Sequence, residues 1–161
     1  MKNKDKAKFA WQIHQAQDSW TGKADIKGSI LLAADGTVLS SMIVFHLTAP
    51  CPLQFIWVVG IACLGLSAAL AGLSIKPRIS SSPRKDGRDV IYFGHLKDLE
   101  PNQLDQELKN MDSSTALTAI SHQVIVMSRT NWKKHRLLAA SSWFAVTAVA
   151  LICTVAVFQN F

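Results

Sequence analysis

Three long apolar stretches, almost free of charge, constrain this chain more than any other feature. Residues 28–47, 53–75 and 137–158 are 20, 23 and 22 residues long, and Asp35 is the single Asp, Glu, Lys or Arg among them. At about 1.5 Å of rise per residue, a 20-residue helix covers roughly 30 Å, the thickness of a bilayer's hydrocarbon core. The three stretches are therefore predicted to be transmembrane helices, and the chain an all-α membrane protein. An ordinary water-soluble enzyme does not fit this distribution. A disulfide scaffold does not fit either, because the three cysteines are odd in number and Cys63 and Cys153 fall within spans, where they are expected to pack. The first span does not read as a cleaved signal peptide, since a second apolar span follows almost at once.

Charge orients the spans. All 17 Lys and Arg residues lie in two segments, 6 in residues 1–27 and 11 in residues 76–136, and the turn at 48–52 and the tail at 159–161 carry none. By the positive-inside rule both basic segments are cytoplasmic, so the N-terminus is inside and the C-terminus outside. The expected plan is a cytoplasmic amphipathic helix over 1–27, a span at 28–47, an external turn at 48–52, a span at 53–75, a cytoplasmic segment at 76–136, a last span at 137–158 and an external tail at 159–161. Phe55 and Trp57 suit an outer aromatic belt, and Trp132 beside Lys133, Lys134 and Arg136 suits an inner one. With so little protein outside, sensing is expected from the cytoplasm.

In the cytoplasmic segments Phe9, Ile13, Ala16 and Trp20 recur at i, i+4, i+7 and i+11, which predicts an amphipathic helix with that face buried, running on towards the first span with Gly22 as a weak point. Residues 76–89 (KPRISSSPRKDGRD) read as a linker. Val90 to Phe93 is a short apolar run, expected as an isolated extended segment docked on helices. Pro101 suits a first helical turn, or Asn102 an N-cap. Leu104, Leu108 and Met111, then Leu117, Ile120, Val124 and Met127, form two stripes whose phase shifts near residues 112–115, so a break or a change of packing partner is expected there. The second stripe leads without Pro or Gly into the last span as one long helix. A small cytoplasmic helical bundle of this helix with the N-terminal one completes the expected fold.

Two short motifs carry a family likeness: K-A-D-I-K-G-S-I-L-L-A-A-D-G from Lys23 to Gly36 and I-Y-F-G-H-L from Ile91 to Leu96. With the order helix, two spans, F-G motif, long helix, last span, they resemble the membrane-spanning effectors of the cyclic-pyrimidine (Pycsar) antiphage systems of bacteria, over nearly the whole chain after Lys6. The resemblance implies a bacterial inner-membrane effector. A companion uridylate or cytidylate cyclase supplies it with cUMP or cCMP, and it answers by impairing the membrane at the host cell's expense, an abortive infection. No enzymatic activity, no cofactor and no nucleic-acid partner are expected of the chain. The family usually has Ala where this chain has Gly28. Three spans cannot enclose an aqueous channel alone, so a homo-oligomer in the lipid bilayer is expected.

Each residue singled out has two readings. Asp25 and Lys27 are interfacial anchors, Lys27 snorkelling to water, or they face a pocket shared with Tyr92 and Phe93 in which Lys27 meets a phosphate and Asp25 orients a basic partner. Arg129, Lys133 and Arg136, with Lys134, are an inner-leaflet charge patch, worth about 1 kcal/mol per basic group near anionic lipid. Alternatively they bind the nucleotide anion, with Tyr92, Phe93 or Trp132 as the flat wall for its base. A carboxylate at the centre of a span costs roughly 2.5–3.5 kcal/mol on insertion scales. Asp35 is therefore expected at a helix interface or an oligomeric pore, beside Gly36, Thr37, Ser40 and Ser41. Gly65, Ala69 and Gly72 form a small-residue packing face that serves the hairpin of the first two spans or an oligomer. No catalytic motif and no metal-ligand spacing among the five histidines is present, so catalytic and metal-binding residues are expected to be none. The rival assignments are an adaptor or structural subunit of a membrane complex, and a small transporter, for which the expected internal repeat is lacking.

Overall fold

The computed structural model describes residues 3–48, 54–77, 96–97 and 99–159. Four helices account for nearly all of them: α1 (Asn3–Thr48), α2 (Gln54–Ile75), α3 (Pro101–Asn110) and α4 (Ser113–Gln159). Helices α1, α2 and α4 are each long and apolar enough to cross a membrane. The 46 residues of α1 and the 47 of α4 each amount to roughly 70 Å of helix, more than twice the hydrocarbon thickness. Gly22 does not interrupt α1, because a single glycine costs only about 1 kcal/mol in a helix interior.

The chain divides into two compact units, Met1–Thr21 with Pro77–Asn131, and Gly22–Lys76 with Trp132–Phe161. In the second unit the residues turned inward follow alternating steps of three and four. They are Ala24, Gly28, Leu31, Asp35, Val38 and Met42 on α1, and Trp57, Gly60, Leu64, Ser67, Ala71 and Ser74 on α2. On α4 they are Lys134, Leu138, Ser141, Ala145, Ala148, Ile152 and Val155. That is the 3.5-residue seam of left-handed coiled-coil packing. Met42, Trp57, Leu64, Ala148 and Val155 make its apolar core.

Lipid is as apolar as leucine, so helices in a membrane associate through close packing and hydrogen bonds, and not by hiding leucines. The exposed side chains bear this out: Ile30, Leu66, Leu73 and Val146 face outward while Gly, Ala and Ser fill the seams. Of the two uses expected for the face at Gly65, Ala69 and Gly72, packing within the hairpin of the first two spans is accordingly corrected. A Cβ at Gly65 or Gly72 meets nothing within 4 Å, and the face of α2 in use within the chain is the one through Gly60, Ser67 and Ser74. Trp57 is corrected too: it is buried in the core, while Phe55 stays exposed as a belt residue should. Cys63 packs against that core, but Cys153 is exposed.

In the first unit the seam on α1 runs through Ala7, Ala10, His14, Gln17 and Thr21, and that on α4 through Ile120, Val124, Met127 and Asn131. The α4 stripe is the one its apolar spacing indicates. The α1 face is not, since Phe9, Ile13 and Trp20 are exposed, Phe9 and Trp20 to 58% and 59%, and the contact runs instead through small and polar residues. Pro101 is the first residue of α3, with Glu100 rather than Asn102 as N-cap, its N–H donating to Gln103 Oε1 at 3.1 Å. The phase shift is a true break: α3 ends at Asn110 and Asp112 caps α4, its Oδ1 accepting from the Thr115 N–H at 2.8 Å and its Oδ2 from the Ser114 hydroxyl at 2.7 Å. The expected extended segment at Val90 to Phe93 and most of the linker lie outside the described residues.

Candidate functional site

The polar residues of the seams gather into three nodes. In the first unit Asn131 is buried among the residues of α1. Its Nδ2 donates to the Gln17 carbonyl oxygen at 3.0 Å and to Gln17 Oε1 at 2.9 Å, and its Oδ1 lies 2.7 Å from the Thr21 hydroxyl. Every hydrogen-bonding group of the amide is thereby used.

In the second unit Lys134 turns into the seam and its Nζ meets Asp25 Oδ1 at 2.5 Å, across from α4 to α1. The side chains are 7% and 37% exposed, so the ammonium is enclosed and the carboxylate is reached from one side. One turn further along α1, Gly28 has the closest surroundings of the described glycines. A Cβ there lies 2.9 Å from Ile75 Cγ1 and from Ser74 Oγ, and 3.3 Å from Leu138 Cδ2, so α1, α2 and α4 converge on this glycine.

Two turns deeper sits the third node. The Ser67 hydroxyl of α2 donates to Asp35 Oδ2 of α1 at 2.6 Å and lies 2.9 Å from the Ser141 carbonyl of α4, while the Ser141 hydroxyl donates to the Ser67 carbonyl at 2.8 Å. Asp35 is 3% exposed. Its carboxyl thus sits at a junction of three helices, supplied with a donor, where a polar group in the hydrocarbon layer is tolerated.

The residues picked out in the sequence are divided by the fold. Asp25 is engaged by Lys134, whereas Lys27 is exposed on another face of α1. Arg129, Lys133 and Arg136 are not part of the α4 seam: all three are exposed, as is Trp132. Tyr92 and Phe93 lie outside the described residues. Gly36, Thr37, Ser40 and Ser41 do not join Asp35. They are exposed, and the three hydroxyls bond back to the carbonyls of Ala33, Gly36 and Thr37 on their own helix. Spacing alone missed Gln17, Thr21, Asn131, Lys134, Ser67 and Ser141 as members of nodes. The available signal was the stripe Ile120, Val124, Met127: continued in steps of four and three, it lands on Asn131, Lys134, Leu138 and Ser141. Among the described residues no cluster of His, Cys, Asp or Glu has the makings of a metal site.

No curated protein and no solved structure matches the chain. A family model does match, the Pycsar effector protein domain PycTM, over residues 9–159, a stretch that takes in all three polar nodes and nearly all of the four helices. The chain therefore belongs to the Pycsar transmembrane effectors, a family of antiphage defence.

Proposed function

We propose that this protein is the messenger-responsive membrane effector of its system: it sits in the bacterial inner membrane with its basic segments in the cytoplasm, takes up a cyclic pyrimidine nucleotide, and impairs the membrane as an oligomer. The observation that carries this reading is the family match across residues 9–159. The polar nodes add physical support. Interhelical hydrogen bonds in a membrane are worth about 0.6 kcal/mol on average and seldom more than about 2 kcal/mol, so three helices pinned at a few such points can exchange one packing for another at modest cost. A ligand shifts such an equilibrium by its differential affinity for the two arrangements. The exposed Gly36, Thr37 and Ser40 of α1 and Gly65 and Ala69 of α2 offer small-residue surface for neighbouring copies. Exposed Lys27, Lys133 and Arg136 suit either the messenger's phosphate or the inner leaflet.

The test is release of dye from liposomes bearing the purified protein, with cUMP, cCMP, their purine counterparts or no nucleotide. Release confined to a cyclic pyrimidine supports the reading. Silence with every nucleotide, from protein shown to be inserted and folded, points instead to an adaptor subunit.

A further inference from the structure

Lys134 differs from every cation around it. Among the described residues of the second unit Lys23, Lys27, Lys76, Lys133 and Arg136 are all exposed, and Lys134 alone is turned between helices, closed off by the carboxylate of Asp25. A buried ion pair is weak evidence for stability. Removing two charges from water costs several kcal/mol per ion, and an apolar pair of similar volume often serves as well or better. The pair is also lopsided: its cation is enclosed and its anion is over a third exposed. On the open flank of Asp25, one turn before it, Gly22 is exposed and a Cβ there meets nothing within 4 Å, and one turn after it stands the small, exposed Ser29. At these two positions α1 sets nothing bulky above or below the carboxylate.

We infer that Asp25 is a placeholder for an external anion, and that Lys134 is the receptor for the phosphate of the activating ligand. This rests on the proposed response to a cyclic nucleotide and says where its charge is read. A cyclic nucleotide phosphodiester carries one negative charge, as Asp25 does. In the exchange one anion replaces another at the Lys134 ammonium, no buried charge is left unpaired, and the displaced carboxylate moves out into the water it already touches. The consequence for the fold is local and direct. The ion pair joins α1 to α4 three residues from Gly28, where α1 also presses on Ser74, Ile75 and Leu138, so releasing Asp25 frees α1 beside the point at which three helices converge.

An ion pair that is only structural and one that competes with a ligand differ in sign. In the first case loss of either partner weakens the packing of α1 on α4, and neither loss improves binding. In the second, Asp25→Asn removes the competitor and tightens ligand binding, whereas Lys134→Met, which replaces a buried cation by a neutral side chain of similar length, abolishes it. The experiment is titration of the full-length protein in detergent with cUMP and cCMP, alongside the double exchange Asp25→Lys with Lys134→Asp, which keeps an ion pair in case Asp25→Asn leaves the fold too weak to test. The expected result is affinity raised about tenfold in Asp25→Asn and lost in Lys134→Met and in the double exchange. Affinity lowered in Asp25→Asn, or binding retained in either a folded Lys134→Met or a folded double exchange, overturns the assignment. A wild-type protein that binds neither nucleotide overturns the parent reading instead, so the two failures are told apart.

Discussion

Ser67 on α2 donates its hydroxyl hydrogen to Asp35 on α1 at 2.6 Å, and this bond is the centre of the polar junction that ties both helices to α4 through Ser141. It gives the one acidic residue in the spans a donor from another helix. Ser67→Ala leaves the carboxyl buried without that donor, and an unsatisfied buried group costs about 1–3 kcal/mol. Ser141→Ala removes a hydroxyl whose own donation is to a backbone carbonyl and is expected to cost less, about 0.6 kcal/mol. Unfolding in mixed detergent micelles orders the two variants. Equal losses remove Ser67 from the centre of the junction.

Gly28 and the outward glycines should respond oppositely to alanine. At Gly28 the new Cβ falls 2.9 Å from Ile75 Cγ1 and Ser74 Oγ, and because Cγ1 is no flexible tip the helices must shift, for a loss of about 1 kcal/mol or more. At Gly36 and Gly65 a Cβ meets nothing, and alanine gains up to about 1 kcal/mol of helix propensity. Thermal midpoints of the three variants decide it, and an unchanged midpoint for Gly28→Ala speaks against the close approach.

Asn131 resembles the buried amides that fix register in coiled coils at some cost in stability. Asn131→Leu is expected to raise the thermal midpoint of the protein while making the proposed nucleotide-dependent leakage slower or less complete, because α4 loses the bonds that align it with Gln17 and Thr21. A variant both more stable and fully responsive would make the amide incidental.

Asp112 predicts a pH dependence outside the spans. Hydrogen bonds from the Thr115 side chain and backbone, and then from Ser114, hold its carboxyl at about 2, against an ordinary value of 3.8. A depressed folded-state value favours the charged form. Its contribution to the start of α4 is therefore complete above about 3.8, declines as pH falls below that, and is gone once pH has passed through about 2. Backbone chemical shifts of residues 113–116 should move from helical towards random-coil values over that window in the wild type. In Asp112→Ala they should already be displaced at neutral pH and show no such titration.

The fold was legible in the sequence to different depths. The spans stood out because twenty consecutive uncharged residues have few other uses, and the break at Asp112 because an apolar stripe changed phase there. Apolar periodicity pointed to the inward face of α4, through Ile120, Val124 and Met127, but not to those of α1 and α2. Phe9, Ile13 and Trp20 form a regular stripe that stays exposed, and a Cβ at Gly65 or Gly72 of the small-residue stripe meets nothing within 4 Å among the described residues. On a helix in lipid a leucine is satisfied facing either way, so the buried face is marked by the residues lipid does not accommodate, Asp35, Ser67, Ser141 and Lys134, and by the glycine that lets helices close.

Length, apolarity and charge distribution by themselves determined that this chain makes three helices able to span a membrane. The motifs at 23–36 and 91–96 carried the family. Only the tertiary structure decided which cation meets Asp25. Along α4, Lys133 and Lys134 are adjacent and chemically identical, and the roughly 100° between neighbouring helix positions sends one outward and the other into the seam. That choice belongs to the register of α4 against α1, which is set by contacts between residues more than a hundred positions apart in sequence, Asp25 with Lys134 and Thr21 with Asn131.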